Sequence, residues 1–183
     1  TSGNNGISPG GGGGSTRIGG AGLVLISYSC PDSDPTDCIN IIDDGSKSGT
    51  TLIQFTCSMT WNVPEGLTRF SATLGSGGGG GGFGVGAGGG GAGELVQDLT
   101  YSTSNPFGLP AGTSFNITVG QGGVGSTSLN NKGGVGGTSS ITGMIDGVAF
   151  SASAAGGGGG GSGNNGNGMN GASGGGGAAR NLP

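Results

Sequence analysis

The sequence predicts an all-β chain: a short-strand antiparallel sandwich or small barrel, with ordered poly-Gly strands of polyproline-II type and almost no α-helix. Three observations predict it. Short apolar segments alternate in twos, the mark of a strand with one buried face. No window of about 11 residues keeps a 3.6-residue apolar period free of Gly, the poorest helix former after Pro. Finally, 53 of the 183 residues are Gly, many of them gathered into runs between the apolar segments.

The strands follow in order. Leu23-Val24-Leu25-Ile26-Ser27-Tyr28 is an apolar stretch too short to cross a bilayer, which takes about 20 residues. Residues 51–61 are rich in β-branched and aromatic side chains and read as one strand. Pro64-Glu65-Gly66 then turns the chain into a segment where Phe70, Ala72 and Leu74 alternate with Ser71 and Thr73. Leu95, Val96 and Leu99 start another strand, and Asn105-Pro106 and Leu109-Pro110-Ala111-Gly112 bracket a loop. Beyond it Phe115, Ile117 and Val119 alternate with Asn116 and Thr118. Ile141, Met144-Ile145 and residues 148–150 close the set, with turns at Gly143 and Asp146-Gly147. About seven strands with Gly turns suit a sandwich or small barrel.

The Gly runs lie at residues 10–14, 77–82, 88–91, 156–161 and 174–177. Ordering a Gly costs about 1 kcal/mol more than ordering an Ala, so an ordered run needs a compensating interaction. Polyproline-II geometry supplies one: with three residues per turn and no side chains between neighbours, backbones approach and hydrogen-bond laterally. Collagen is excluded, because its strict Gly-X-Y period and high Pro are missing. Long structureless insertions rarely recur within one domain, so order is the expectation. The chain divides into a Gly-rich arm over 1–22, a β domain with interleaved runs over 23–154, and a Gly/Asn-rich segment over 155–183 packed on or extending that domain.

Chemistry is sparsely provided for. Charged residues make up 8%, against about 25% in an ordinary domain, and five basic against nine acidic side chains leave a net charge of -4. That gives no basic footprint for nucleic acid. Without His there is no Ser-His-Asp or Cys-His pair and no imidazole ligand, so neither catalysis nor a cofactor is expected. The G-x-G-x-x-G match at residues 84–89 is expected by chance in so Gly-rich a tract, and Lys47 and Lys132 lack the spacing of a phosphate-binding loop. Asn116-Ile117-Thr118 is a glycosylation sequon inside an expected strand.

Cys30 and Cys38 flank a short Pro- and Asp-rich loop that a disulfide could close, leaving Cys57 free; a fully reduced chain and a bridge to Cys57 are the alternatives. Any bridge implies maturation outside a reducing cytosol. Three thiols without His do not make a structural zinc site. Asp32, Asp34, Asp37, Asp43 and Asp44 crowd one region as a solvated acidic loop; oxygen ligands suit calcium, but the EF-hand pattern is broken. Trp61 belongs to the core. Tyr101 and Phe107 sit in a loop between Gly tracts, where aromatics serve either as packing or as recognition anchors. Asn164, Asn165, Asn167 and Asn170 offer turns and hydrogen bonds and form a second candidate contact loop.

Three ordered motifs carry a resemblance: Thr60-Trp61-Asn62-Val63-Pro64-Glu65-Gly66-Leu67-Thr68 before the run at 77–82, Pro110-Ala111-Gly112 through Ile117-Thr118-Val119-Gly120-Gln121-Gly122-Gly123, and Gly133-Gly134-Val135-Gly136-Gly137-Thr138-Ser139-Ser140 before the run at 156–161. From about residue 51 to 177 the chain resembles the glycine-rich domain of bacteriophage tail-fibre adhesins and related secreted or surface proteins. The first 50 residues have no counterpart in it. The resemblance implies ordered poly-Gly strands and exposed loops that contact a host-surface receptor or glycan. It implies a non-enzymatic structural or attachment protein of a virion surface, a tail-fibre tip or capsid-surface component, or an extracellular one. The expected partners are other proteins of a virion or surface assembly, with the chain in an oligomer and without nucleic acid or membrane insertion. A secreted bacterial matrix or filament subunit is the alternative, and an ice-binding Gly-strand protein a third reading.

Overall fold

Alternating burial gives strands such as residues 51–55, 69–75 and 114–118 one inner face, and the inner faces of two sheets meet. The computed structural model describes residues 9–28, 38–44 and 50–179, with the side chains of residues 27, 28, 43 and 44 left aside. Its strands are β1 (Leu23–Tyr28), β2 (Ile39–Asp44), β3 (Thr51–Phe55), β4 (Met59–Asn62), β5 (Arg69–Gly75), β6 (Leu95–Ser102), β7 (Ser114–Thr118), β8 (Ser139–Ile145) and β9 (Val148–Ala154). Every pairing is antiparallel: one sheet has the order β2-β3-β1-β5-β6, the other β4-β7-β8-β9. There is no helix among the described residues and no closed barrel.

The core lies between the sheets. Val24, Ile26, Ile53, Phe55, Phe70, Ala72 and Leu74 enter it from the first sheet, and Trp61, Phe115, Ile117, Ile141 and Ile145 from the second. Trp61 stacks on Phe115 at 6.1 Å between ring centroids and meets Phe55 and Phe70 edge-on, the offset and T-shaped geometries aromatic quadrupoles favour.

Three expectations are corrected here. Residues 51–61 are not one strand: β3 ends at Phe55, the chain crosses at residues 56–58, and β4 begins in the other sheet. Phe55 and Trp61 thus reach the core from opposite sides, which one straight strand could not arrange. Residues 39–44 are an edge strand rather than part of an acidic loop, with Asn40 and Ile41 opposite Gln54 and Ile53. Gly143 is not a turn; it lies within β8 opposite Phe115, and a Cβ there would stand 2.6 Å from Phe115 Cδ1. The turn between β8 and β9 falls at Asp146-Gly147 as expected, both with positive φ (49° and 76°).

Beyond the sandwich the Gly segments form a bundle. Residues 17–22 lead into β1, 76–82 leave β5, 88–94 lead into β6, 119–126 leave β7, 133–138 lead into β8 and 155–161 leave β9. Residues 77–82 run through the centre, and their hydrogen bonds rotate with a three-residue period. Gly77 and Gly80 donate to Gly137 and Gly134, Gly78 and Gly81 to Gly20 and Arg17, and Gly79 and Gly82 to Gly91 and Gly88. Their carbonyls accept from three other segments in the same rotation: Gly157 and Gly160, Gly123 and Ser126, Gly13 and Thr16. One segment therefore has six neighbours, the lateral packing that a threefold backbone helix without side chains permits. A Cβ at any of the six central positions would overlap a neighbouring carbonyl, closer than the 3.0 Å that real Cβ atoms respect. On outer segments the side chains return at the same period where they face outward: Ile18 and Ala21, Gln121, Val124 and Thr127, and Val135 and Thr138 are exposed.

Candidate functional site

Because each Gly segment runs out from the sandwich and another returns, the connections between them collect at the far end of the bundle. They are Ser15-Thr16, residues 83–87, residues 127–132 and residues 162–167. Backbone and side-chain bonds tie them together. Asn164 donates from its backbone N–H to Leu129 O (2.9 Å) and from Nδ2 to Asn130 Oδ1 (2.7 Å), and Asn165 Nδ2 donates to Asn130 O (3.4 Å). Phe83 N–H donates to Ser162 Oγ (2.7 Å), whose hydroxyl donates to Asn131 O. Thr16 N–H and Ser15 Oγ both donate to Gly82 O, at 2.7 and 3.2 Å. Val85 stands out of this tip, 83% exposed.

Buried serines mark both ends of the bundle. At the sandwich end Ser139 Oγ donates to Gly75 O (2.8 Å) and accepts from Gly120 N–H (2.9 Å), while Ser76 Oγ donates to Glu94 O (3.2 Å) and Ala155 O. At the tip Ser126 and Ser162 do the same work. A hydroxyl is the smallest side chain that can satisfy the backbone groups left over where a threefold helix stops.

The second loop cluster lies at the opposite end, beyond the sandwich. Asp146, at the β8–β9 turn, accepts from Tyr101 Oη (3.3 Å), Thr103 Oγ1 (2.8 Å) and the Ser104 N–H (3.4 Å). Burial first, and then the Asp146 carboxylate, push the Tyr101 phenol above its usual value. Asn105 shapes the loop that follows: its Oδ1 accepts from Phe107 N–H (3.1 Å) and its Nδ2 donates to Gly108 O (2.8 Å). Phe107 is thereby held out, 87% exposed.

The candidate contact residues therefore separate. Tyr101 is half-buried, its ring 5.6 Å from Phe70 and 6.0 Å from Phe150, and it packs rather than projects. Phe107 is presented at the sandwich end. Asn164, Asn165 and Asn167 share the bundle tip, exposed. Asn170 is carried back along the bundle, because Met169 N–H binds Gly159 O and Ala172 N–H binds Gly156 O. Asn130 and Val85 belong to the tip and were missed; the Leu129-Asn130-Asn131 stretch between Gly-rich segments was the available signal.

The cysteine pairing also differs from the preferred one. Cys38 is bonded to Cys57, with Cα atoms 5.2 Å apart. The cause is the register of β2 on β3, which sets Ile39 opposite Phe55 and lets Thr56 N–H donate to Cys38 O (2.9 Å). Cys30 and the acids Asp32, Asp34 and Asp37 lie outside the described residues, and Asp43 and Asp44 fall in β2. Among the described residues no three His, Cys, Asp or Glu side chains gather in one place.

The fold is thus a two-sheet sandwich continued by a hydrogen-bonded Gly bundle whose connections meet at its tip. The family model of the glycine-rich domain matches residues 53–182, and the chain belongs to that family. No curated protein and no solved structure matches the chain.

Proposed function

We propose that this chain is a non-enzymatic attachment or structural protein of a virion surface, at a tail-fibre tip or on a capsid. One observation carries the reading: the Gly segments bring four separate connections to a single tip and lock them there through Asn130, Asn164, Ser162 and the surrounding backbone. Backbone-to-backbone packing leaves little freedom in the stalk, so the ordering entropy of the tip is met on folding rather than on contact. The loops can then vary in sequence without disturbing the Gly positions that support them. The order of the three motifs, which resembles that of tail-fibre glycine-rich domains, supports the same reading. The partner is a receptor or glycan on a host surface, engaged through several copies of the chain so that weak sites combine.

Immunogold electron microscopy of the source material with antibodies to the chain tests it. Label on virion surfaces or fibre tips is the expected result; label on cell-free filaments without capsid proteins overturns it in favour of an extracellular matrix subunit. Where virions are labelled, the purified chain should compete with them for adsorption to host cells. The variant Asn164→Ala/Asn165→Ala, checked for an unchanged melting curve, should compete less.

A further inference from the structure

The outer face of the second sheet carries uncharged hydrogen-bonding side chains in register. Thr60, Asn116, Thr142 and Ser151 stand opposite one another across β4, β7, β8 and β9, and Thr118, Ser140 and Ser153 form the next rung. Rungs of this kind repeat at about 4.8 Å between strands and about 7 Å along them. Within the face Thr60 Oγ1 donates to Asn116 Oδ1 (3.1 Å), which fixes the amide.

Toward the sandwich end the face opens into a shallow groove of about 490 Å³, walled by Pro110, Ala111 and Thr113 on one side and Met144 on the other, with Ser114 and Asn116 between them. The wall is held in place, since Thr113 bonds Pro110 O through both its N–H (3.2 Å) and Oγ1 (2.8 Å). Met144 is 56% exposed although it neighbours these polar groups. No residue lining the groove is charged.

We infer that this groove and the rungs beside it bind a neutral oligosaccharide in an extended conformation. The chemistry matches on three counts. Sugar hydroxyls both donate and accept, as do the Ser, Thr and Asn side chains here; the C–H face of a pyranose ring packs on an exposed thioether and a proline ring; and an extended glycan runs along in-register rungs while remaining largely solvated, which suits a shallow site. An anionic ligand finds no cation in the groove, and an apolar one finds too little enclosure. The site lies on the sheet and not at the bundle tip, so it holds equally for an attachment protein and for a matrix protein.

A printed array of neutral and acidic glycans probed with the full chain is the first measurement. The strongest neutral glycan is then titrated into the 15N-labelled chain and followed by NMR. Neutral glycans should bind in preference to acidic ones, with the largest shifts at the Asn116 side-chain amide, Ser114 and Met144. The variants Asn116→Ala and Met144→Ala should each weaken binding about five- to tenfold, with dispersed spectra showing that the fold is kept. Preference for acidic glycans, absence of neutral binding, or binding unchanged in the folded double variant would each overturn the assignment. Shifts confined to residues 127–132 and 162–167 would do so as well, while supporting the tip as the contact surface.

Discussion

The meaning of a glycine in this chain is set by what its missing side chain would meet. At Gly79 a Cβ would overlap Gly158 O, and every atom around it is backbone fixed by its own hydrogen bonds. At Gly89, one run later, the nearest atom would be Gly13 O at 3.7 Å, an ordinary contact. The same substitution should therefore have opposite signs. Gly79→Ala is expected to cost about 3 kcal/mol, the upper end for an overpacked site that cannot relax. Gly89→Ala should be neutral or stabilising by up to about 1 kcal/mol, because it restricts the unfolded chain. Urea titrations of the two variants decide it, and equal losses would count against a close-packed bundle. Tyr101 allows a second test. Its phenol titrates higher in the folded chain, so its contribution to stability is complete below the ordinary Tyr value near 10.0 and is lost as pH rises through the raised one. Tyr101→Phe should accordingly flatten the fall in stability above pH 10.0, measured by denaturation across that range.

At the level of elements, the disulfide and the strand switch belong together. Cys57 lies where the chain leaves β3 for β4, and its bond to Cys38 ties the edge strand β2 to that crossing, 19 residues away in sequence. Reduction is expected to lower stability by about 3 kcal/mol. Hydrogen exchange should show the loss concentrated at β2 and β3, with the Gly segments little changed; uniform loss would mean that the bond supports the whole molecule. The sequence made some of these elements plain and hid others. Strict alternation at Phe70-Ala72-Leu74 and Phe115-Ile117-Val119 identified β5 and β7, because period-2 burial leaves a local trace. The crossing at residues 56–58 leaves none, since β-branched and aromatic residues continue through it on both sides. β2 was hidden by the Asp residues around it, and the choice of Cys57 over Cys30 depends on the register of β2 against β3, a non-local fact. Tip residues 127–132 and 162–167 lie far apart in sequence, and only the packing of the Gly runs brings Asn130 to Asn164.

Across the whole molecule two kinds of cohesion meet end to end. The sandwich holds through apolar burial around Trp61, Phe70 and Phe115. The bundle buries peptide groups against peptide groups and has almost no apolar surface inside. Their thermodynamic signatures differ in sign, because exposing apolar surface raises heat capacity by about 0.45 cal/K/mol/Å² whereas exposing polar surface lowers it by about 0.26. An ordinary chain of this length would unfold with a heat-capacity change of about 2.2–2.7 kcal/mol/K. Here the roughly 110 residues of the sandwich and its loops supply nearly all of it, so about 1.5 kcal/mol/K is expected by scanning calorimetry. A value in the ordinary range would mean that the Gly segments bury apolar surface as a conventional core does. The lower value carries a consequence for the proposed role. A small heat-capacity change flattens the stability curve, so the stalk keeps its hydrogen-bonded geometry over a wide temperature range. The tip loops, fixed to that stalk by Ser126 and Ser162, would hold their arrangement outside a cell, where neither temperature nor chaperones are controlled.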